Sequence, residues 1–198
     1  GGDFFSEEKR HGTSRLSRLA EGVPAYRLEN TCARGRYRIE KEVIADPRRA
    51  EMKDILNARV KHRQPFRPFA PIVLEERADE IFEGKGDSPF MLMAKNVRPE
   101  WRDKIPAIVH VDGTARVQTV RRDQNEALYR LLKEFEAITG VPVLINTSFN
   151  VKGEPIVETP EDAMECFLTT GIDFLAFRNQ NPFSERNPVF CFFVCLVF

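Results

Sequence analysis

Val141-Pro142-Val143-Leu144-Ile145-Asn146-Thr147-Ser148-Phe149-Asn150 changes character at its midpoint. The first half is a continuous apolar run and reads as a buried strand. The second half delivers amide and hydroxyl groups to the strand's C-terminal end, where open α/β sheets place their ligands. Such groups hold a phosphate or a carbonyl without adding charge. A second stretch, Lys61-His62-Arg63-Gln64-Pro65-Phe66-Arg67-Pro68-Phe69-Ala70-Pro71, sets cations among prolines and aromatics. Pro65, Pro68 and Pro71 fix φ, so this is a stiff, shaped loop and not a solvated helix face. Arginine is also the bidentate partner of phosphate. Together the two stretches predict a pocket for a phosphorylated, polar small molecule.

Composition frames that expectation. A chain of 198 residues with 42% hydrophobic residues can bury a core of domain size. Thirty basic residues balance thirty acidic ones, so no global field draws in nucleic acid or an anionic membrane, and an anion site has to be local. Cys32, Cys166, Cys191 and Cys195 have neither CxxC spacing nor nearby histidines, which points away from a zinc site or a disulfide framework. A reducing cytosol, hence a cytoplasmic location, is the simplest setting. The closing apolar run, residues 188–198, is far shorter than the ~20 residues of a spanning helix. No GxxxxGK[ST], GxGxxG or HExxH motif occurs, which argues against the familiar P-loop ATPases, dinucleotide dehydrogenases and zinc proteases.

Along the chain, strands alternate with helices. Residues 1–42 carry charge without period and read as an extension or linker, and a first residue Gly1 reads as a fragment boundary. Asp46-Pro47 opens a helix with Met52, Ile55, Leu56 and Val60 at helical spacing. Ile72-Val73-Leu74 and Phe90-Met91-Leu92-Met93 read as buried strands. Residues 107–111 and 115–120, joined by Asp112-Gly113, read as a hairpin. Asp123 with Glu126 starts a helix through Leu128, Leu131, Leu132, Phe135 and Ile138 that stops at Gly140. Thr159-Pro160 starts another, burying Ala163, Cys166 and Phe167 and ending at Gly171, followed by a strand over 172–177. The Phe/Val/Cys-rich tail has the composition of an aggregation-prone strand if exposed.

Each candidate residue also has a plainer reading. Lys61, Arg63 and Arg67 fit surface pairing with Glu75, Glu76 and Asp79, which contributes little. Asn146, Thr147, Ser148 and Asn150 fit a turn whose side chains cap backbone groups, and such a turn would itself present N–H groups to an anion. His110, on a strand, fits a structural histidine better than a catalyst. Arg116 and Gln118 fall on one face of a strand and either look into the pocket together or lie exposed. Gly153, in the turn Lys152-Gly153-Glu154-Pro155, permits close backbone approach.

Ile44-Ala45-Asp46-Pro47-Arg48, Met52-Lys53-Asp54, Leu56-Asn57 and residues 60–71, 111–119 and 142–156 resemble, in order, the C-terminal part of the NodU/CmcH O-carbamoyltransferase family over residues 43–177. The resemblance implies a YrdC-like mixed α/β domain (α+β), a twisted open sheet flanked by helices, at 43–179, between the extension of 1–42 and an aberrant apolar tail of 180–198. It implies formation of carbamoyl adenylate from carbamoyl phosphate and ATP, with Mg2+. An iron-bearing, Kae1-like N-terminal half, absent from this sequence, would pass the carbamoyl group to a hydroxyl of a small-molecule acceptor. On matching positions, Lys61, Arg63 and Arg67 neutralise phosphate charge as the catalytic set, with Arg116 assisting. Ser148 and Asn150 match the family's Ser-x-Asn contacts to anion and adenylate. Asn146, Thr147 and His110 complete the substrate-binding set.

Two segments depart from the family. Gly35-Arg36-Tyr37-Arg38-Ile39-Glu40-Lys41-Glu42 replaces a Gly-Pro-Arg-Ala-Leu-Gly-like motif, and residues 180–198 look foreign, as in a truncated or frame-shifted product. A homodimer is compatible with the sequence and a membrane is not expected. A non-catalytic nucleotide- or RNA-binding YrdC-like module, or an inactive remnant, stays open beside the enzyme; balanced charge disfavours RNA.

Overall fold

The structure, a computed structural model, describes residues 41–179 and 190–195. The extension ahead of residue 41, with Cys32, and residues 180–189 and 196–198 of the expected tail lie outside those residues. The elements run β1 (Lys41–Ala45), α1 (Glu51–Ile55) continued by a π turn (Leu56–Val60), β2 (Ala70–Leu74), α2 (Glu75–Ile81), β3 (Ala94–Asn96), α3 (Pro99–Arg102), a 3-10 turn (Pro106–Ile108), β4 (Thr114–Arg116), β5 (Gln118–Val120), α4 (Glu126–Thr139), β6 (Val143–Ser148), α5 (Pro160–Thr169), β7 (Phe174–Asn179) and β8 (Phe190–Cys195). Helices with both parallel and antiparallel strands make this an α/β fold, as the sequence predicts. Two compact units form, one of Ile44–Thr147, the other of the described residues 41–43 with those from 148 onward.

In the larger unit β2 is central. It pairs antiparallel with β6, Ala70 opposite Asn146 and Val73 opposite Val143, and parallel with β5, Ile72 opposite Gln118 and Leu74 opposite Val120. Every residue of β2 and β5 is buried, which is why β2 reads as an unbroken apolar run. Pro71 sits one residue before pairing with β5 begins, so its missing N–H leaves that ladder intact. Against β2 lies α4, burying Leu128, Leu132 and Phe135 at i, i+4 and i+7, each contributing roughly 2 kcal/mol. Its cap is Asn125, whose Oδ1 accepts from the Leu128 N–H at 3.0 Å. The expected cap, Asp123, is instead engaged by the Arg121 guanidinium at 2.7 Å. Gly140, at φ 75, closes the helix in the left-handed conformation expected of it, but Ile138 is exposed.

The first helix starts at Glu51, later than predicted. Asp46 does not cap it, because its carboxylate holds the Arg48 N–H at 2.8 Å and the Arg48 guanidinium at 2.6 Å. After Ile55 the helix widens into the π turn, closed by the Lys61 N–H on the Leu56 carbonyl at 2.8 Å, and Leu56, Asn57 and Val60 are all buried. Asn57 organises the loop that follows. Its Nδ2 donates to the carbonyls of Pro65 (3.3 Å) and Arg67 (3.0 Å), and its Oδ1 accepts from Arg63 Nε (2.7 Å). Its backbone carbonyl takes the Arg63 N–H at 3.0 Å.

Two expected strands are corrected. Phe90-Met91-Leu92-Met93 is a loop in which Phe90, Leu92 and Met93 are exposed. Ser88 pins its base to β5, donating its N–H to Thr119 Oγ1 at 2.8 Å and its hydroxyl to the Val117 carbonyl at 2.9 Å, and Met91 breaks the extended path at φ 54. The predicted hairpin keeps its turn, the Gly113 N–H donating to the His110 carbonyl at 2.9 Å, but loses its first strand. Pro106 turns Ala107 and Ile108 into the 3-10 segment, and β4 pairs with β3 instead, Ala94 opposite Arg116.

The smaller unit buries Phe149, Val157, Ala163, Cys166, Phe167 and Ile172. Within it, the Phe149 N–H donates to the Lys41 carbonyl at 2.8 Å and the Val157 N–H to the Phe149 carbonyl at 3.0 Å. Thr159 caps α5 as the sequence predicts, in a reciprocal capping box with Asp162, and the helix ends at Thr169. β7 starts at Phe174, two residues later than expected, and pairs antiparallel with β8, Phe174 opposite Cys195. Part of the apolar tail is therefore a strand, as its composition suggests. Among the described residues no helix is long and apolar enough to cross a membrane.

Replacing Asn57 by Ala strands two carbonyls and a guanidinium N–H, so Asn57→Ala should lower unfolding free energy by about 3 kcal/mol in urea titration; a loss under about 1 kcal/mol would mean that the prolines alone hold the loop. At α4, Asn125→Ala should cost about 1 kcal/mol, with Asp123→Ala the milder change; the reverse order would restore Asp123 as the cap.

Candidate functional site

Antiparallel pairing brings the start of β2 to the end of β6. Ala70, the residue after the cationic loop, lies opposite Asn146, so residues 61–69 are delivered to the sheet end that carries Asn146 and Thr147. Parallel pairing puts the start of β5 at that end as well, with Arg116 just before it. The larger unit thus gathers Lys61, Arg63, Arg67, Arg116, Asn146 and Thr147 at one end of its sheet. Asn146, Thr147 and Ser148 belong to β6 itself, where the sequence reading has the strand ending at Ile145.

The loop residues differ in exposure. Lys61 is only 4% exposed. Arg63 is partly buried, bonded to Asn57 and, through Nη2, to the Pro68 carbonyl at 3.2 Å, with its guanidinium 4.6 Å from the Phe69 ring centroid. Burial, aided by the neighbouring charge of Arg67, lowers its proton affinity, and it stays a cation. Arg67 is exposed. The surface pairing that offered a plainer reading is not formed by these arginines: Glu76 is taken by Tyr129 at 2.5 Å and Lys133 at 3.4 Å.

Asn146 is 2% exposed and donates through Nδ2 to Gln118 Oε1 at 2.7 Å. The bond spans β2, joining Asn146, opposite Ala70, to Gln118, opposite Ile72. Asn146 Oδ1 is buried and has no hydrogen-bond partner among the described residues. A buried carbonyl oxygen left unpaired costs roughly 1–3 kcal/mol, so this atom has capacity to accept one hydrogen bond from an N–H or an O–H. Cations along the loop and one uncommitted acceptor at Asn146 are what this sheet end presents. Gln118 and Arg116, expected on one face, diverge: Gln118 is buried and Arg116 exposed, because the chain breaks at Val117 between strands that pair with different partners.

His110 lies in the turn before β4 and not on a strand. Its Nδ1 is 3.1 Å from Thr114 Oγ1, and its N–H donates to the Thr114 carbonyl at 2.8 Å. Burial lowers its pKa, opposed by Asp112 and assisted by Arg116, so the ring is neutral at pH 7. In the smaller unit, the Ser148 hydroxyl donates to Asn150 Oδ1 at 2.7 Å and Asn150 Nδ2 to the Glu154 carbonyl at 2.9 Å, which orients Asn150 in the turn that contains Gly153, at φ 87.

A cavity of about 470 Å³ lined by Glu75, Glu76, Asp79, Asp87, Arg121 and Tyr129, among others, contains none of the residues nominated from the sequence. Among the described residues no group of three or more His, Cys, Asp or Glu could hold a metal ion. Sequence reasoning missed Asn57 as the loop's organiser; its signal was an amide on the apolar side of a helical pattern, directly before the cations.

The sequence profile described as Carbamoyltransferase C-terminus matches residues 37–181. Nodulation protein NolNO of Sinorhizobium fredii is 49% identical over 138 residues, 68% of this chain and 20% of that protein. NolO of Bradyrhizobium diazoefficiens is 49% identical over 68% of this chain and 25% of its own length. Nodulation protein U of the same organism is 42% identical over 75% of this chain and 26% of its own. The chain thus spans about a quarter or less of the length of these relatives. On this match, and with an α/β fold around its shared motifs, the chain belongs to the carbamoyltransferase C-terminal domain family.

Proposed function

We propose that residues 43–179 are the activating domain of an O-carbamoyltransferase, forming carbamoyl adenylate from carbamoyl phosphate and ATP for transfer to a small-molecule hydroxyl by a Kae1-like N-terminal half. The observation that carries this reading is the orphan acceptor Asn146 Oδ1 at the sheet end that receives the cationic loop. Carbamoyl phosphate has both complements, an NH2 donor and a phosphate. In the reaction, water releases phosphate from carbamoyl phosphate, the carbamate oxygen attacks the α-phosphorus of ATP, and the bond to pyrophosphate breaks. Negative charge on the phosphates is the main barrier, and cations fixed before the ligand arrives stabilise it without reorganising. Arg67 and Arg116 are the exposed cations and would meet the phosphates; Lys61 and Arg63, more deeply held, would supply fixed field. Thr147 would add a hydroxyl, and neutral His110 adds no charge of its own. Ser148 and Asn150 keep the role that their motif implies, contacts to anion and adenylate. Mg2+ would enter with the ATP phosphates, where it neutralises charge, and the iron belongs to the N-terminal half. A cytoplasmic setting goes with this reading.

The test is carbamoyl-phosphate-dependent pyrophosphate release from ATP by the purified chain, with circular dichroism confirming the fold. Release by the wild type and at least a tenfold loss in Arg67→Ala, at unchanged urea midpoint, is expected; no release from folded wild type removes activation by this chain alone. Asn146 has its own signature: carbamoyl phosphate should bind about tenfold tighter than acetyl phosphate, which lacks the NH2, and Asn146→Ala should erase that difference. Equal binding of the two phosphates by the wild type would take Asn146 out of carbamoyl recognition.

A further inference from the structure

Phe66 is 77% exposed in the middle of the cationic loop, while Phe69, three residues on, is 3% exposed with the Arg63 guanidinium over its ring. We infer that Phe66 is the platform on which the flat base of the nucleotide stacks, an inference that rests on the ATP-dependent reading above. A single exposed aromatic is ordinary on a protein surface, but this one is presented by a built turn. Gln64-Pro65-Phe66-Arg67 is closed by the Arg67 N–H on the Gln64 carbonyl at 3.2 Å, with Pro65 at the position that pre-sets φ. Buried Asn57 then grips the carbonyls on either side of the ring, Pro65 at 3.3 Å and Arg67 at 3.0 Å. The residue before the arch, Arg63, is stapled to the same amide at 2.7 Å, and His62 is held at φ 47, a conformation that non-glycine residues seldom adopt. The ring therefore points to solvent from a frame with little freedom to fold it away, and a ligand would find it already ordered.

Its surroundings select the ligand's chemistry. Residues 61–69 contain Lys61, Arg63 and Arg67 and no carboxylate, so a purely apolar partner would have to bury or displace charge at this place. A ligand that is flat and apolar at one end and polyanionic at the other matches an aromatic face set among cations, the pairing by which nucleotides are held through stacking and phosphate contacts together. Stacking uses the π-face that every base has, so by itself it tolerates different bases.

The measurement compares binding of ATP and of tripolyphosphate, which carries the phosphates without the base, to the full chain and to Phe66→Ala, Phe66→Leu and Phe66→Trp. Their exposure at this position leaves the core untouched, and an unchanged urea midpoint verifies it. Phe66→Ala and Phe66→Leu should weaken ATP about tenfold and leave tripolyphosphate unchanged, Phe66→Trp should keep ATP affinity, and GTP should follow ATP. ATP affinity unchanged in Phe66→Ala overturns the inference while the proposed function stands. So does equal weakening of both ligands, which would make the ring a prop for the arginines, and so does full affinity in Phe66→Leu, which would make it an apolar contact without stacking. If the folded wild type binds tripolyphosphate but not ATP, the platform is overturned along with ATP use, and if it binds neither, the anion reading of the loop falls as well.

Discussion

The carboxamide of Asn57 is the constraint on which the cationic loop depends. Nine residues with three cations and no acid would, left to themselves, splay apart to separate their charges. Asn57 prevents this with both ends of one amide, donating to two loop carbonyls and accepting from Arg63. Because it is 1% exposed, water does not compete for these bonds, and their loss would leave several polar groups unpaired at once. The repulsion between Arg63 and Arg67 is thereby held in the folded state as local field, available to an anion. Stability and the placement of the loop's cations are coupled here through one side chain.

The sheet does the rest of the positioning. Loop and polar strand end are seventy-odd residues apart in sequence, yet antiparallel β2 and β6 meet at Ala70 and Asn146. Asn146 and Gln118 then join across β2. That pairing fixes Asn146 and turns its carbonyl oxygen into the unsatisfied member of the network. In the proposed function, this uncharged acceptor takes the carbamoyl N–H without opposing the phosphate charge.

Much of this was legible in the sequence where a local rule and the tertiary environment agree. The apolar run at 143–145, the Gly140 stop and the Thr159 cap are set by burial, backbone conformation and a side chain three residues away, all visible in a short window. The errors fall where a competitor sits nearby. Asp123 and Asp46 look like caps, but an arginine two residues away takes each carboxylate first. Phe90-Met91-Leu92-Met93 has strand composition, and hydrogen bonds from Ser88 to a strand some thirty residues later decide otherwise. Within the candidate site, the residue types were readable from their chemistry, whereas Asn57 was not singled out, because an amide inside a helix announces no partner that lies eight to ten residues ahead.

The π turn at Leu56–Val60 has a consequence for how this segment can change over time. A π turn holds one residue more than a regular α turn, so the loss of one residue within Leu56–Val60 would restore regular winding. A change of length between Arg63 and Arg67 would instead shift the partners of the Asn57 amide. Length is therefore held more tightly in the arch than in the helix end that precedes it.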